Sequence, residues 1–129
     1  KDTKININIK SSPALILNSY PGVFSQIFTN LILNSIYHAF TKDEKGAILI
    51  EISKGIDELK IVYKDDGKGI SQENLGEVFE PFFTTDREHG RTGLGLNVLY
   101  NILTNKLKGT INCESKEGEG VTFIIFIPL

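Results

Sequence analysis

Four polar side chains, Gln26, Asn30, Asn34 and His38, recur at every fourth position of an otherwise apolar stretch. On a helix, positions four apart drift by about 40°, so the four stay within roughly 120° of arc and form one polar stripe. Asparagine oxygens one turn apart suit a hard cation or the waters around it, and an imidazole one turn further can donate to a phosphate. The plain alternative is a solvated helix face. Lys and Glu, the usual occupants of such a face, are absent from 21 to 40.

A second candidate is the run Lys64, Asp65, Asp66, Gly67, Lys68, Gly69, Ile70. It follows a strand-like alternation that puts Leu59, Ile61, Tyr63 and Asp65 on one face and Lys60, Val62, Lys64 and Asp66 on the other. Asp65 therefore faces the apolar side and must find donors, because an unpaired buried carboxylate costs on the order of several kcal/mol. The exocyclic amine of an adenine is such a donor, and Gly67 and Gly69 let backbone approach a flat base. An ordinary Asp-Gly turn is the alternative for this segment alone.

The third candidate is Phe79, Glu80, Pro81, Phe82, Phe83, Thr84, Thr85, followed by Arg87, His89 and Arg91. Both arginines of the chain fall there, and the guanidinium fork matches phosphate oxygens. Gly93, Leu94, Gly95 and Leu96 then open a helix whose free N–H groups favour an anion. No segment fits G-x-x-x-x-G-K-[ST] or a G-x-G-x-x-G after a strand, so a nucleotide has to be held in another way.

The elements that position these residues follow from periodicity. Residues 4 to 10, KININIK, alternate as a half-buried strand, and 14 to 17, ALIL, form a shorter one. Pro21 to Phe40 predicts a long helix, while 47 to 53 and 58 to 65 predict a hairpin. Residues 66 to 95 hold six of the twelve glycines and predict a long functional loop with a short helix near Asn74 to Phe79. A helix over Leu94 to Lys106 and strands over Gly109 to Ser115 and Val121 to Leu129 complete the chain.

Composition bounds the rest. The 129 residues are 40% hydrophobic and 23% charged, enough for one globular domain with a core of its own, spanning 1 to 129. A net charge of -2 argues against nucleic acid as an obligatory partner. No apolar run nears the roughly 20 residues of a membrane span, so direct membrane insertion is not expected and the chain is cytosolic in character. Cys113 is the single cysteine, which excludes an intrachain disulfide. The chain has no methionine, and it is expected to be a piece of a longer protein.

Taken in order, these segments resemble the catalytic ATP-binding domain of sensor histidine kinases, a group sharing its fold with gyrase, Hsp90 and the MutL mismatch-repair proteins. Asn30 to Asn34 with His38 looks like the N box, and Asp65, Gly67 and Gly69 look like the first glycine box. Phe79 to Phe83 looks like the F box, and Gly93 to Leu96 like the second glycine box. Gly118, Gly120, Thr122 and Phe123 look like the closing G-x-G-x-T-F element. The resemblance covers nearly the whole chain. It implies an α+β two-layer sandwich, the Bergerat fold, with a mixed, mostly antiparallel sheet under about three helices.

The resemblance also implies that Asn34 binds Mg²⁺, that Asp65 binds the adenine amine, and that Gly67 to Thr92 form a lid over the phosphates. Further ATP contacts are implied at His38, Gly67, Gly69, Ile70, Phe82, Phe83, Thr92, Gly93, Leu94, Gly95, Leu96 and Thr122. Asn30, Asn34, Arg87 and Arg91 are then the residues of phosphoryl transfer. One departure from the family pattern is Tyr37, where a Lys is common. Neither His38 nor His89 lies in the pattern of a phospho-accepting helix hairpin, so the acceptor is expected on a separate dimerisation domain of the parent, which could itself be membrane-anchored. A response regulator receiver domain is the implied downstream partner. The rivals are a serine kinase of the anti-sigma-factor type and a non-catalytic nucleotide-binding module of the same fold.

Overall fold

A computed structural model describes residues 4–11, 21–36, 45–80 and 95–128. Alternating sequences build β1 (Lys4–Ser11), β2 (Lys45–Lys54), β3 (Glu58–Asp65), β4 (Thr110–Ser115) and β5 (Val121–Pro128). They join in one sheet of order β1-β2-β3-β5-β4, parallel between β1 and β2 and antiparallel elsewhere. The hairpin between β2 and β3 closes where Gly55 N–H donates to the Glu58 carbonyl at 2.8 Å. Helices α1 (Pro21–Asn34), α2 (Gln72–Leu75) and α3 (Gly95–Asn101) complete the described part.

The core lies between one face of the sheet and α1 and α3. Ile50, Tyr63 and Phe123 stand opposite one another across β2, β3 and β5, and Ile61 stands opposite Ile125. Ile27 and Leu31 of α1, and Leu99 and Leu103 of the other helix, cap this surface, all fully buried. Removing such side chains from water is worth about 1.5–3 kcal/mol each. The opposite face carries Leu49, Val62, Ile124 and Phe126, which are only half-buried. No described helix is long and apolar enough to cross a membrane.

Several boundaries differ from those expected. The helix predicted over Pro21 to Phe40 is α-helical to Asn34 and continues as a wider π turn at 35 and 36; residues 37 to 40 lie outside those described. After α3, residues Ile102–Lys106 are also π-helical, with Leu107 N–H donating to Ile102 at 3.1 Å. Leucines four apart drift about 40° on an α-helix, and a wider turn offsets this, keeping Leu99, Leu103 and Leu107 all in the core. The short helix sits at Gln72–Leu75, earlier than expected, its first turn closed where the Asn74 and Leu75 N–H groups donate to the Ser71 carbonyl at 3.0 Å.

β1 is not half-buried over its described side chains. Ile7 and Ile9 are 42% and 61% exposed, on a strand that, among the described residues, pairs with β2 alone. The strand expected at 14 to 17 lies outside the described residues.

Truncation should show where stability resides. Ile61→Ala is expected to lower the unfolding free energy by about 2–5 kcal/mol. Ile56→Ala, in the β2–β3 turn and 97% exposed, should change it by less than about 0.5 kcal/mol. Urea unfolding followed by circular dichroism measures both.

Candidate functional site

The site is built around the end of β3. Strand alternation carries Leu59, Ile61, Tyr63 and Asp65 inward in turn, so a carboxylate arrives in the apolar layer. Asp65 is 6% exposed. Its Oδ1 accepts the backbone N–H groups of Gly67, at 3.1 Å, and Val121, at 3.2 Å. Its Oδ2 accepts the hydroxyl of Ser35 at 2.8 Å. Ser35 Oγ also lies 2.7 Å from the Tyr63 hydroxyl, which donates to the Leu31 carbonyl at 3.1 Å. Among the described residues, Oδ2 accepts one hydrogen bond where Oδ1 accepts two, leaving Oδ2 capacity for a further donor.

Glycines bring the surrounding loops close. Gly120 has φ +80°, and a Cβ there would run into the Asp65 carbonyl; Gly69 has φ +76°, and a Cβ there would strike the Lys116 carbonyl. Both conformations suit a residue without a side chain. Ser115 ties the two loops together, its Oγ donating to the Gly120 carbonyl at 2.6 Å and accepting Ile70 N–H at 2.7 Å. Gly118 N–H donates to the Lys68 carbonyl at 2.6 Å. Gly67 is buried, and Ile70 packs on the margin of the core.

Electrostatics follow from burial. Desolvation pushes the Asp65 carboxyl above its ordinary value, against the lowering effect of the Gly67, Ser35 and Val121 donors, and Asp66 adds to the rise. The Cys113 thiol is pushed up to about 12, mainly by burial and then by the charges of Asp65 and Glu114, so it stays protonated. Burial likewise raises Tyr63, which remains a neutral hydroxyl.

Asn30 and Asn34 are half-buried on α1, and Asn34 adjoins the Ser35 that grips Asp65. Phe79 is stacked on Tyr100 at 5.4 Å and tilted against Phe123 at 6.2 Å, and its carbonyl accepts Asn97 Nδ2 at 2.9 Å. Gly95 opens α3, and Leu96 packs against the core. Thr122 is a correction: it pairs with Lys64 and Glu114, on the sheet face away from Asp65, and buried Val121 stands beside the carboxylate instead. His38, Phe82, Phe83, Arg87, Arg91, Thr92, Gly93 and Leu94 lie outside the described residues. Sequence reasoning missed Ser35, Ser115 and Val121; a serine beside Asn34 in an otherwise apolar helix was the one available signal.

The architecture is that of histidine kinase catalytic domains. It superposes on the nucleotide-free catalytic domain of histidine kinase ThkA with a TM-score of 0.81, at 28% identity, covering 97% of this chain and 80% of that one. The chain belongs to the histidine kinase-, DNA gyrase B- and HSP90-like ATPase family, whose family model matches residues 21–129. Sensor histidine kinase ZraS of Escherichia coli K12 is 38% identical over 109 residues, 84% of this chain and 22% of that protein. Sporulation kinase C of Bacillus subtilis 168 is 34% identical over 125 residues, 97% of this chain and 28% of that protein. The chain thus spans about a quarter of the length of the curated relatives it matches.

The raised Asp65 carboxyl has a signed consequence for stability. A folded value above the unfolded one means that its contribution is fully present below the unfolded value near 3.8 and is lost as pH rises through the folded value. Asparagine in its place still accepts Gly67 and Val121 N–H and can donate to Ser35 Oγ. In nucleotide-free chain, Asp65→Asn should therefore melt progressively higher relative to wild type as pH is raised from about 4 to 7. Thermal melts across that range test this sign.

Proposed function

We propose that this chain binds MgATP at the end of β3 and presents its γ-phosphate to a histidine on a separate dimerisation domain, within two-component signalling through a response regulator. The observation that carries this reading is Asp65, a buried carboxylate with three fixed donors and acceptor capacity remaining on Oδ2. Such an acceptor matches the amine of adenine and opposes the carbonyl of guanine. Gly69 and Gly120 support the fit, since a Cβ at either would fill the backbone approach around it.

Asn34 is the proposed magnesium residue. One amide oxygen is a reasonable share of an octahedral oxygen shell when phosphates and waters complete it. Bound MgATP supplies the transferable phosphoryl group together with the charge neutralisation that its transfer requires. The chain's own part is positioning: Asp65 fixes the base, Asn34 fixes the metal end, and α1 joins the two through consecutive residues Asn34 and Ser35. Arg87 or Arg91 is proposed to meet the phosphates, with Phe82 or Phe83 closing over the nucleotide.

Asn30 supports kinase rather than hydrolase chemistry, because an amide cannot take a proton from water. The relatives named as sensor histidine kinases support the same direction. The acceptor histidine and the receiver domain belong to this proposal and rest on that kinship.

Calorimetry with MgATP and MgGTP tests the base contact. Asp65→Asn should weaken ATP by about 1.5–3 kcal/mol. Asp66→Asn should do little, because Asp66 Oδ1 accepts Ala47 N–H at 2.8 Å at an exposed position and an amide oxygen can do the same. Equal losses at the two positions, or GTP binding as tight as ATP, would refute the assignment.

Asn34→Ala should abolish most Mg²⁺-dependent ATP affinity and label transfer to the parent's dimerisation domain. Full transfer by that variant would remove Asn34 from the site.

A further inference from the structure

Ser35 is fully buried, at the end of α1 and 30 residues from the carboxylate it touches. A serine in a helix can donate back to the carbonyl four residues earlier, which here is Leu31. That carbonyl accepts the Tyr63 hydroxyl at 3.1 Å. Ser35 Oγ instead lies 2.8 Å from Asp65 Oδ2 and 2.7 Å from the Tyr63 hydroxyl. An ionised carboxylate only accepts, so the single proton of Ser35 belongs to the bond with Asp65. The 2.7 Å contact between the two hydroxyls then carries the Tyr63 proton, with the Leu31 carbonyl, at 3.1 Å, as its longer second acceptor, and both hydroxyls are sealed from solvent.

We infer that Ser35 is a positioning residue for adenine recognition, aimed at Asp65 by the Tyr63 hydroxyl, which donates to its Oγ and so leaves the Ser35 proton to the carboxylate. This rests on the proposed contact between Asp65 and the adenine amine. Two backbone donors hold Oδ1, and Ser35 is the described donor on Oδ2, the oxygen left with capacity for the base. Its hydroxyl therefore occupies one lone pair of Oδ2 and helps hold the carboxylate plane that aims the other. Because Ser35 follows Asn34, the same bond also ties the metal end of the proposed site to its base end.

The test compares MgATP with the magnesium complex of purine riboside triphosphate, which lacks the exocyclic amine, by calorimetry on the whole chain. Wild type should prefer ATP by about tenfold or more, the worth of a hydrogen bond to a charged group. Ser35→Ala should shrink that preference to roughly threefold or less by weakening ATP, while the analogue stays within about twofold of its wild-type affinity. Tyr63→Phe should narrow the ratio in the same direction, and it decides the matter if Ser35→Ala fails to fold.

A purely structural role would weaken both nucleotides in parallel, and that result overturns the inference. So does a folded Ser35→Ala or Tyr63→Phe chain that keeps the wild-type ratio. Equal binding of the two nucleotides by wild type is a different failure: it overturns the adenine contact at Asp65 itself, and this inference with it.

Discussion

A carboxylate inside an apolar layer has to be surrounded by donors, and meeting that requirement at Asp65 fixes how the parts of this domain sit against one another. The Val121 donor holds the start of β5 to the end of β3, and the Gly67 donor bends the loop back under the carboxylate. The Ser35 donor comes from another layer and anchors α1 over the sheet. Burial still raises the carboxyl despite all three, so the site holds a group whose charge the fold tolerates rather than favours.

The backbone around this point is correspondingly tight. Gly120 and Gly69 occupy positions that combine positive φ with a carbonyl where a Cβ would go. Ser115 joins the β3 loop to the β4–β5 turn through both bonds of its hydroxyl. On the other side, Phe79 is pinned between Tyr100 and Phe123 while Asn97 holds its carbonyl. The described part of the proposed lid is thereby anchored, at Phe79, to α3 and to the same sheet face that carries Asp65.

Much of this arrangement was legible in the chain because it rests on local periods. Alternation over 58 to 65 puts Asp65 inward and Asp66 outward, and the structure does the same. The hairpin from β2 to β3 and the final strand pair follow from equally local signals. Where the expectation failed, a nonlocal fact intervened. Ile7 and Ile9 alternate as a half-buried strand would, yet both are exposed at the edge of the described sheet, a placement that no local pattern encodes. Thr122 matched a motif by type, but its register opposite Lys64 turned it to the far face.

The sequence by itself determined the elements, their inward faces and the candidate polar groups, because 3.6 and 2 residue periods are properties of neighbouring residues. Tertiary structure alone decided which polar groups meet. Ser35 is 28 residues from Tyr63 and 30 from Asp65, and Val121 is 56 from Asp65. A hydroxyl's partner is settled by which acceptors packing brings within about 3 Å. It is also settled by which neighbouring hydroxyl must donate, as Tyr63 does toward Ser35 once the Ser35 proton lies on Asp65. Those distances exist only after the sheet has paired and α1 has settled on it, and that is why Asp65 could be singled out in the chain while the residue that aims it could not.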